Sequence, residues 1–265
     1  MTADHKPSAL AAFTDVTATL GRGPAVFLDY DGTLTPIMPR PDLAVLSPAM
    51  RAAVERLAAL CPVAVVSGRD LDDVRAMTGV PGLVYAGSHG FDIAGPGLRH
   101  RVGEEWRPAL AAAAAVLEPA LAGVAGVLVE RKGFAVAVHT RQVDPAHKPA
   151  VAAAVRRAGG MSEPALRVTG GKEIFEIRPP VPWDKGRAVR HLLDVWGLDG
   201  VAPLFLGDDE TDEDGFRAAA ALGGVGIRVG DAGAATAAGW TLPDPDGVGV
   251  FLARLAAWLE TARRP

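Results

Sequence analysis

The stretch Ala25-Val26-Phe27-Leu28-Asp29-Tyr30-Asp31-Gly32-Thr33-Leu34-Thr35 constrains this chain more than any other. Four apolar residues run into two carboxylates spaced i, i+2, followed by glycine and a hydroxyl residue. A short apolar run bounded by turn residues reads as a strand buried on both faces. Asp29 and Asp31 therefore stand where strand gives way to loop, and in open parallel sheets ligands bind at the carboxyl ends of strands. Two carboxylates held together there repel each other unless a cation or a shared proton intervenes. That predicts a divalent metal, a perturbed pKa, or both.

The pattern repeats along the chain. Apolar runs at Pro62–Val66, Leu83–Ala86 and Val201–Leu206 end in Ser67-Gly68-Arg69, Gly87-Ser88-His89-Gly90 and Gly207-Asp208-Asp209, and Val225–Val229 is a further strand. Helical segments alternate with them: Ser47-Pro48 opens one as N-cap and N1, Asp70 starts another, and Lys185 to Trp196 stops at Gly197. Alternating strands and helices predict an α/β fold with a doubly wound, Rossmann-like parallel sheet. Near Gly103 the rhythm changes. An Ala-rich helical stretch over 104–121, a hairpin over 127–139, a helix over 145–158 and two short strands, 166–168 and 173–178, make an α+β unit. Pro179-Pro180-Val181-Pro182 leads out of it as a hinge. The expected organisation is a core of residues 1–103 and 181–265, interrupted by an inserted α+β cap domain, 104–180.

A chain of 265 residues can bury a substantial core, and a net charge of −4 recruits neither nucleic acid nor an anionic membrane. Charge is unevenly spread. From Glu130 to Arg190 there are twelve Lys/Arg against six Asp/Glu, whereas six of the seven residues Asp208–Asp214 are acidic. One region suits an anion and the other a cation. The single cysteine, Cys61, rules out an internal disulfide and suits a reducing, cytoplasmic compartment. No apolar leader shows at Met1–Ser8, and the Ala-rich stretch 109–129, broken by Glu118-Pro119, reads as a helix and strand rather than a membrane span. Three motifs fail on spacing. Gly21-Arg22-Gly23 precedes its strand, the acidic run is out of EF-hand register, and Gly171-Lys172 lacks the first Walker glycine.

Taken singly, the remaining signals have bland readings. Asp29/Asp31 could cap a turn, Ser67 could be a turn former, Lys185 a surface charge, and Asp208–Asp214 an acidic helix start. Together, acid pair, serine, lysine and acid pair, each at an element end, resemble the haloacid dehalogenase-like hydrolases. A closer resemblance, to the trehalose-6-phosphate phosphatase family, rests on Leu28–Leu34, Val66–Arg69, Ala86–Gly90, Glu130–Lys132, His139–Arg141, Lys172–Arg178, Trp183–Gly186 and Gly207–Glu213.

The resemblance implies a Mg²⁺-dependent phosphatase that hydrolyses trehalose 6-phosphate, a small-molecule substrate, through an aspartyl-phosphate. Asp29 would be the nucleophile and Asp31 the general acid and base. Ser67 and Lys185 would hold the phosphoryl oxygens, with Gly32, Thr33, Gly68 and Arg69 around them. Asp29, Asp31 (through its backbone carbonyl), Asp208 and Asp209 (through bound water) would serve the metal. Glu130, Lys132, Arg141, Lys172 and Glu176 of the cap would meet the sugar or steer it, and the cap would close about hinges near 103 and 180. A trehalose-6-phosphate synthase is an expected functional partner. Two readings stay open: a phosphatase or phosphomutase for another sugar phosphate, such as sucrose 6-phosphate or mannosyl-3-phosphoglycerate, and a non-catalytic phosphosugar-binding module.

Overall fold

The computed structural model describes residues 6–262 except Lys172, Ala232 and Ala234. In chain order the regular elements are α1 (Phe13–Leu20), β1 (Ala25–Leu28), α2 (Pro48–Ala58), β2 (Val63–Val66), α3 (Leu71–Thr78), β3 (Val84–Gly87), β4 (Asp92–Gly95), β5 (Leu98–Arg101), α4 (Arg107–Leu121) and β6 (Leu128–Arg131). They continue as β7 (Val136–His139), α5 (Lys148–Gly159), β8 (Arg167–Gly171), β9 (Ile174–Arg178), α6 (Lys185–Val195), β10 (Pro203–Gly207), α7 (Glu213–Ala221), β11 (Val225–Val229), β12 (Trp240–Leu242) and α8 (Pro245–Ala262). Two compact units result, one of residues 1–100 with 183–265 and the other of 101–182.

The first unit is built on an eight-stranded sheet in the order β12-β11-β10-β1-β2-β3-β4-β5. Strand alternation explains why it is covered on both faces. Val26 and Leu28 of β1, Val63 and Val65 of β2 and Leu204 and Leu206 of β10 all enter one core, shared with α1, α2 and α8. Ala25, Phe27, Ala64, Val66 and Phe205 point the other way, to α6 and α7. Each fully buried Leu or Phe contributes about 1.5–3 kcal/mol. Ser47 caps α2 as its sequence suggests, its Oγ accepting from Met50 N–H at 3.1 Å.

The sheet is not wholly parallel. The ladder from β12 to β3 is parallel, but β4 runs antiparallel to β3, with Tyr85 opposite Ala94. The segment 92–101 carries no long apolar run, because β5 alternates half-buried and exposed residues at the sheet edge. Its strand character therefore comes from pairing rather than from local sequence.

The second unit is a four-stranded sheet, order β6-β7-β9-β8, with antiparallel pairs throughout. Leu110, Leu117, Val151, Val155, Val136, Val138 and Ile177 form the core where α4 and α5 cover one face. Among the described residues, no helix is long and apolar enough to cross a membrane.

Candidate active site

The site of the first unit grows from the carboxyl ends of β1, β2 and β10 and the start of α6. Asp29 continues the β1 ladder, its N–H donating to Leu206 O at 2.9 Å, which places the side chain at the sheet edge and leaves it 5% exposed. The chain then turns tightly. Leu34 and Thr35 N–H groups both donate to Tyr30 O, and Gly32 donates to Thr35 O at 2.8 Å. Gly32 is required twice over: its φ is +83°, and a Cβ there would lie 2.2 Å from an Asp208 carboxylate oxygen. The β1 and β10 loops thus press together backbone to carboxylate. Beside them the Thr33 hydroxyl is fully buried with no hydrogen-bond partner among the described residues.

Lys185 is a buried residue at the first position of α6, not the surface charge that a lone helix-start lysine suggests. Asp184 caps that helix, accepting from Arg187 N–H at 2.8 Å. The Lys185 ammonium then reaches Asp29 Oδ1 and Asp212 Oδ1, each at 2.7 Å, with its side chain 2% exposed. A cation is disfavoured at a helix N-terminus, and these two carboxylates compensate it.

Asp212 is a residue of this cluster that the sequence reading did not single out. It is fully buried, and its second oxygen accepts from the N–H groups of Asp208 and Asp209, both at 3.0 Å. The signal was present as a capping box: Asp209 at the N-cap and Asp212 three residues on, each side chain bonding the other's backbone. The same box holds Asp209, whose carboxylate accepts from Thr211 N–H at 2.8 Å and Asp212 N–H at 3.2 Å. Carboxylate oxygens of Asp29, Asp208 and Asp212 lie within 4.8 Å of one another. The structure therefore brings together Asp29 and Asp208 of the expected metal set, adds Asp212, and turns the Asp31 and Asp209 side chains to other partners.

Electrostatics follow from this crowding. Burial raises the Asp29 carboxyl to about 7 against the pull of Lys185, with Asp208 and Asp209 adding to the rise. Asp208 also rises to about 7, through burial and then the Asp212 and Asp209 charges. Asp212 is pushed up by burial. Asp209 goes the other way: burial opposes ionisation, but Lys185 and the Thr211 and Asp212 donors outweigh it and hold the carboxyl at about 2. Three buried carboxylates side by side, two of them also paired with Lys185, offer hard oxygen donors of the kind that suit a hard divalent cation.

Ser67 ends β2 with its side chain buried, its Oγ accepting from Arg69 N–H at 3.1 Å. Arg69 is placed differently from the substrate-facing role expected of it. Its guanidinium grips Asp31 in a bidentate pair, Nε to Oδ2 and Nη2 to Oδ1, both 2.7 Å, and also meets Asp73 at 2.9 Å and Pro41 O at 2.9 Å. Its donors are used within the unit, and any proton transfer at Asp31 requires that pair to open.

In the second unit, sheet register aligns Glu130, Ala137, Glu176 and Thr169 across β6, β7, β9 and β8. This row lies on the face opposite Val136 and Ile177. Glu176 is 7% exposed and pairs with Lys132 at 3.3 Å and with Arg178. Glu130 accepts from His139 Nε2 at 2.8 Å, and that bond lowers its carboxyl pKa. Arg141 is exposed in the loop after β7. Lys172 lies outside the described residues.

Residues 27–246 match the family model for trehalose-phosphatase. This chain belongs to the trehalose-phosphatase family. Among curated relatives, the trehalose-phosphate phosphatase of Mycobacterium tuberculosis is 45% identical over 264 residues, covering 97% of this chain and 67% of that protein. The probable trehalose-phosphate phosphatase D of Arabidopsis thaliana is 40% identical over 275 residues, covering 97% and 74%. The chain thus spans about two thirds of the mycobacterial relative's length. In fold it is similar to the C-terminal domain of a Candida albicans trehalose-6-phosphate phosphatase, with a TM-score of 0.79, 23% identity and coverage of 97% and 99%.

Proposed function

We propose that the chain is a phosphoric monoester hydrolase that removes phosphate from trehalose 6-phosphate. The observation that carries this reading is the Lys185 ammonium set between Asp29 and Asp212, beside Asp208, at the carboxyl edge of the sheet. A buried lysine among carboxylates is a seat for a transferring phosphoryl group next to a nucleophile. Asp29 attacks phosphorus, the bond from phosphorus to the sugar 6-oxygen breaks, and Asp31 supplies the proton that the departing alkoxide needs. Asp31 then takes a proton from water as that water attacks the aspartyl-phosphate, releasing phosphate and restoring Asp29. Ser67 Oγ, Lys185 Nζ and the backbone around Gly32 and Thr33 hold the phosphoryl oxygens as charge spreads over them. The buried Thr33 hydroxyl is a further donor for that group. Asp29, Asp208 and Asp212, with the Asp31 carbonyl, would hold Mg²⁺, while Asp209 stays ionised nearby to orient water. Bound there, such a cation would neutralise phosphoryl charge and keep Asp29 ionised.

The polar row of the second unit supports a disaccharide rather than a bare phosphate as substrate. Sugar hydroxyls are discriminated by fixed, buried donors and acceptors whose unpaired burial penalises the wrong ligand. Glu176 and Lys132 are such groups, and Glu130, though half-exposed, is fixed by His139. Phosphate release from trehalose 6-phosphate with Mg²⁺ is expected to exceed that from sucrose and glucose 6-phosphates by at least ~10²-fold in kcat/KM. Glu130→Ala or Glu176→Ala is expected to remove most of that preference while leaving a small aryl phosphate nearly unaffected. Equal losses on both substrates would place these residues in the fold rather than in recognition.

A further inference from the structure

Ser88, His89 and Gly90 are three consecutive residues with left-handed backbone, at φ of +48°, +58° and +91°. A Cβ makes that conformation unfavourable, and two of the three carry one. Such a run persists only where its surroundings enforce it, and it clusters at functional sites. Here the enforcing contacts reach the phosphate site. Ser88 N–H donates to Arg69 O at 2.6 Å and His89 N–H to Ser67 O at 2.8 Å. Ser88 Oγ donates to Asp70 at 2.8 Å. On the other side Trp183, two residues before Lys185, donates its indole N–H to Gly90 O at 2.8 Å. The turn therefore bridges the loop that carries Ser67 and the segment that delivers Lys185.

The His89 side chain adds a contact that backbone alone cannot make. It is 7% exposed and lies against Gly68, where a Cβ would come within 2.7 Å of Cε1 and 2.9 Å of Nε2. Gly68 carries no positive φ, so what demands glycine there is the imidazole, not the backbone. His89 is also among the groups that help hold the Asp209 carboxyl low.

We propose that His89 is a positioning residue: its imidazole seats the Ser67-Gly68 loop against the phosphoryl group, while its N–H holds Ser67 and the adjoining Gly90 carbonyl ties the turn to the Lys185 segment. This rests on the reading of that loop as the phosphoryl-binding arm. A displacement of about 1 Å at such a loop costs ~10²-fold in rate, and the loss falls on every phosphate ester alike, because the loop serves the group they share.

His89→Gly deletes the imidazole and relieves the left-handed strain. It is expected to lower kcat/KM by ~10- to 100-fold on trehalose 6-phosphate and on an aryl phosphate equally, with thermal stability unchanged or raised. Inorganic phosphate binding, read by calorimetry, is expected to weaken in parallel. Gly68→Ala, which displaces the ring, is expected to cost a similar factor alone and little more when combined with His89→Gly. Turnover like that of the unsubstituted chain, a loss that tracks a fall in melting temperature with phosphate binding kept, or losses that multiply in the double variant would each overturn the assignment. The unsubstituted chain's turnover of trehalose 6-phosphate tests the phosphatase reading separately, and the calorimetric comparison decides the role of His89 whatever that turnover shows.

Discussion

Asp29→Asn is expected to reduce kcat for phosphate release by ~10⁴-fold or more, the scale on which nucleophile removal acts in enzymes whose groups work as a unit. The amide keeps the shape of the carboxyl group and still offers an oxygen to the Lys185 ammonium 2.7 Å away, but it cannot attack phosphorus. Removing one negative charge from the crowded trio Asp29, Asp208 and Asp212 also relieves repulsion. The variant should therefore melt no lower than the parent without metal. Steady-state turnover and a thermal melt measured together decide the matter. Activity close to the parent's would assign the nucleophile elsewhere, and collapse of the fold would make Asp29 chiefly a structural partner of Lys185.

The second large effect is a pH-dependent response to Mg²⁺. Asp29 and Asp208 titrate near 7 in the folded chain, raised first by burial, against about 4 for an unfolded aspartate. Folding therefore takes up protons between those values, and without metal the chain loses stability as pH rises from about 4 to 7. A divalent cation held by the trio would replace the protons. Mg²⁺ is expected to raise the melting temperature by roughly 5 °C or more at pH 7.5, where these carboxyls must ionise, and by much less at pH 5.5, where protons already occupy them. Equal shifts at both pH values, or none at pH 7.5, would show that the trio does not receive the ion.

The Asp31–Arg69 pair explains a tension in the site. The general acid proposed at Asp31 needs a mobile proton, yet both Asp31 oxygens are gripped by the guanidinium. The family resemblance implies a place for Arg69 beside the substrate, after Ser67 and Gly68 at a strand end. The alternative partner, Asp31, is 38 residues away, and no local pattern encodes it. Asp212 tells a similar story. Its neighbours made the run look like an acidic helix start, and only the capping box hinted at a fixed geometry. Its partner Lys185 lies 27 residues earlier, on another element. The β4–β5 extension was unreadable for a different reason: β4 buries only the Ile93-Ala94 pair, too short a run to read as a strand, and β5 at the sheet edge buries none of its residues fully.

What the sequence determined by itself was local and strong. The apolar run of β1, the strand ends at Asp29, Ser67 and Asp208, and the capped start of α6 at Lys185 follow from period, turn chemistry and helix caps, which act within a few residues. Tertiary structure alone decided which charges meet. Lys185 and Asp29 are 156 residues apart, and their contact arises because β1 and β10 pair in parallel while α6 packs on the face where Phe27 and Phe205 point. The physical reason is that a buried charge is tolerable only opposite a partner. That partner can sit anywhere along the chain that the sheet order brings to the same edge.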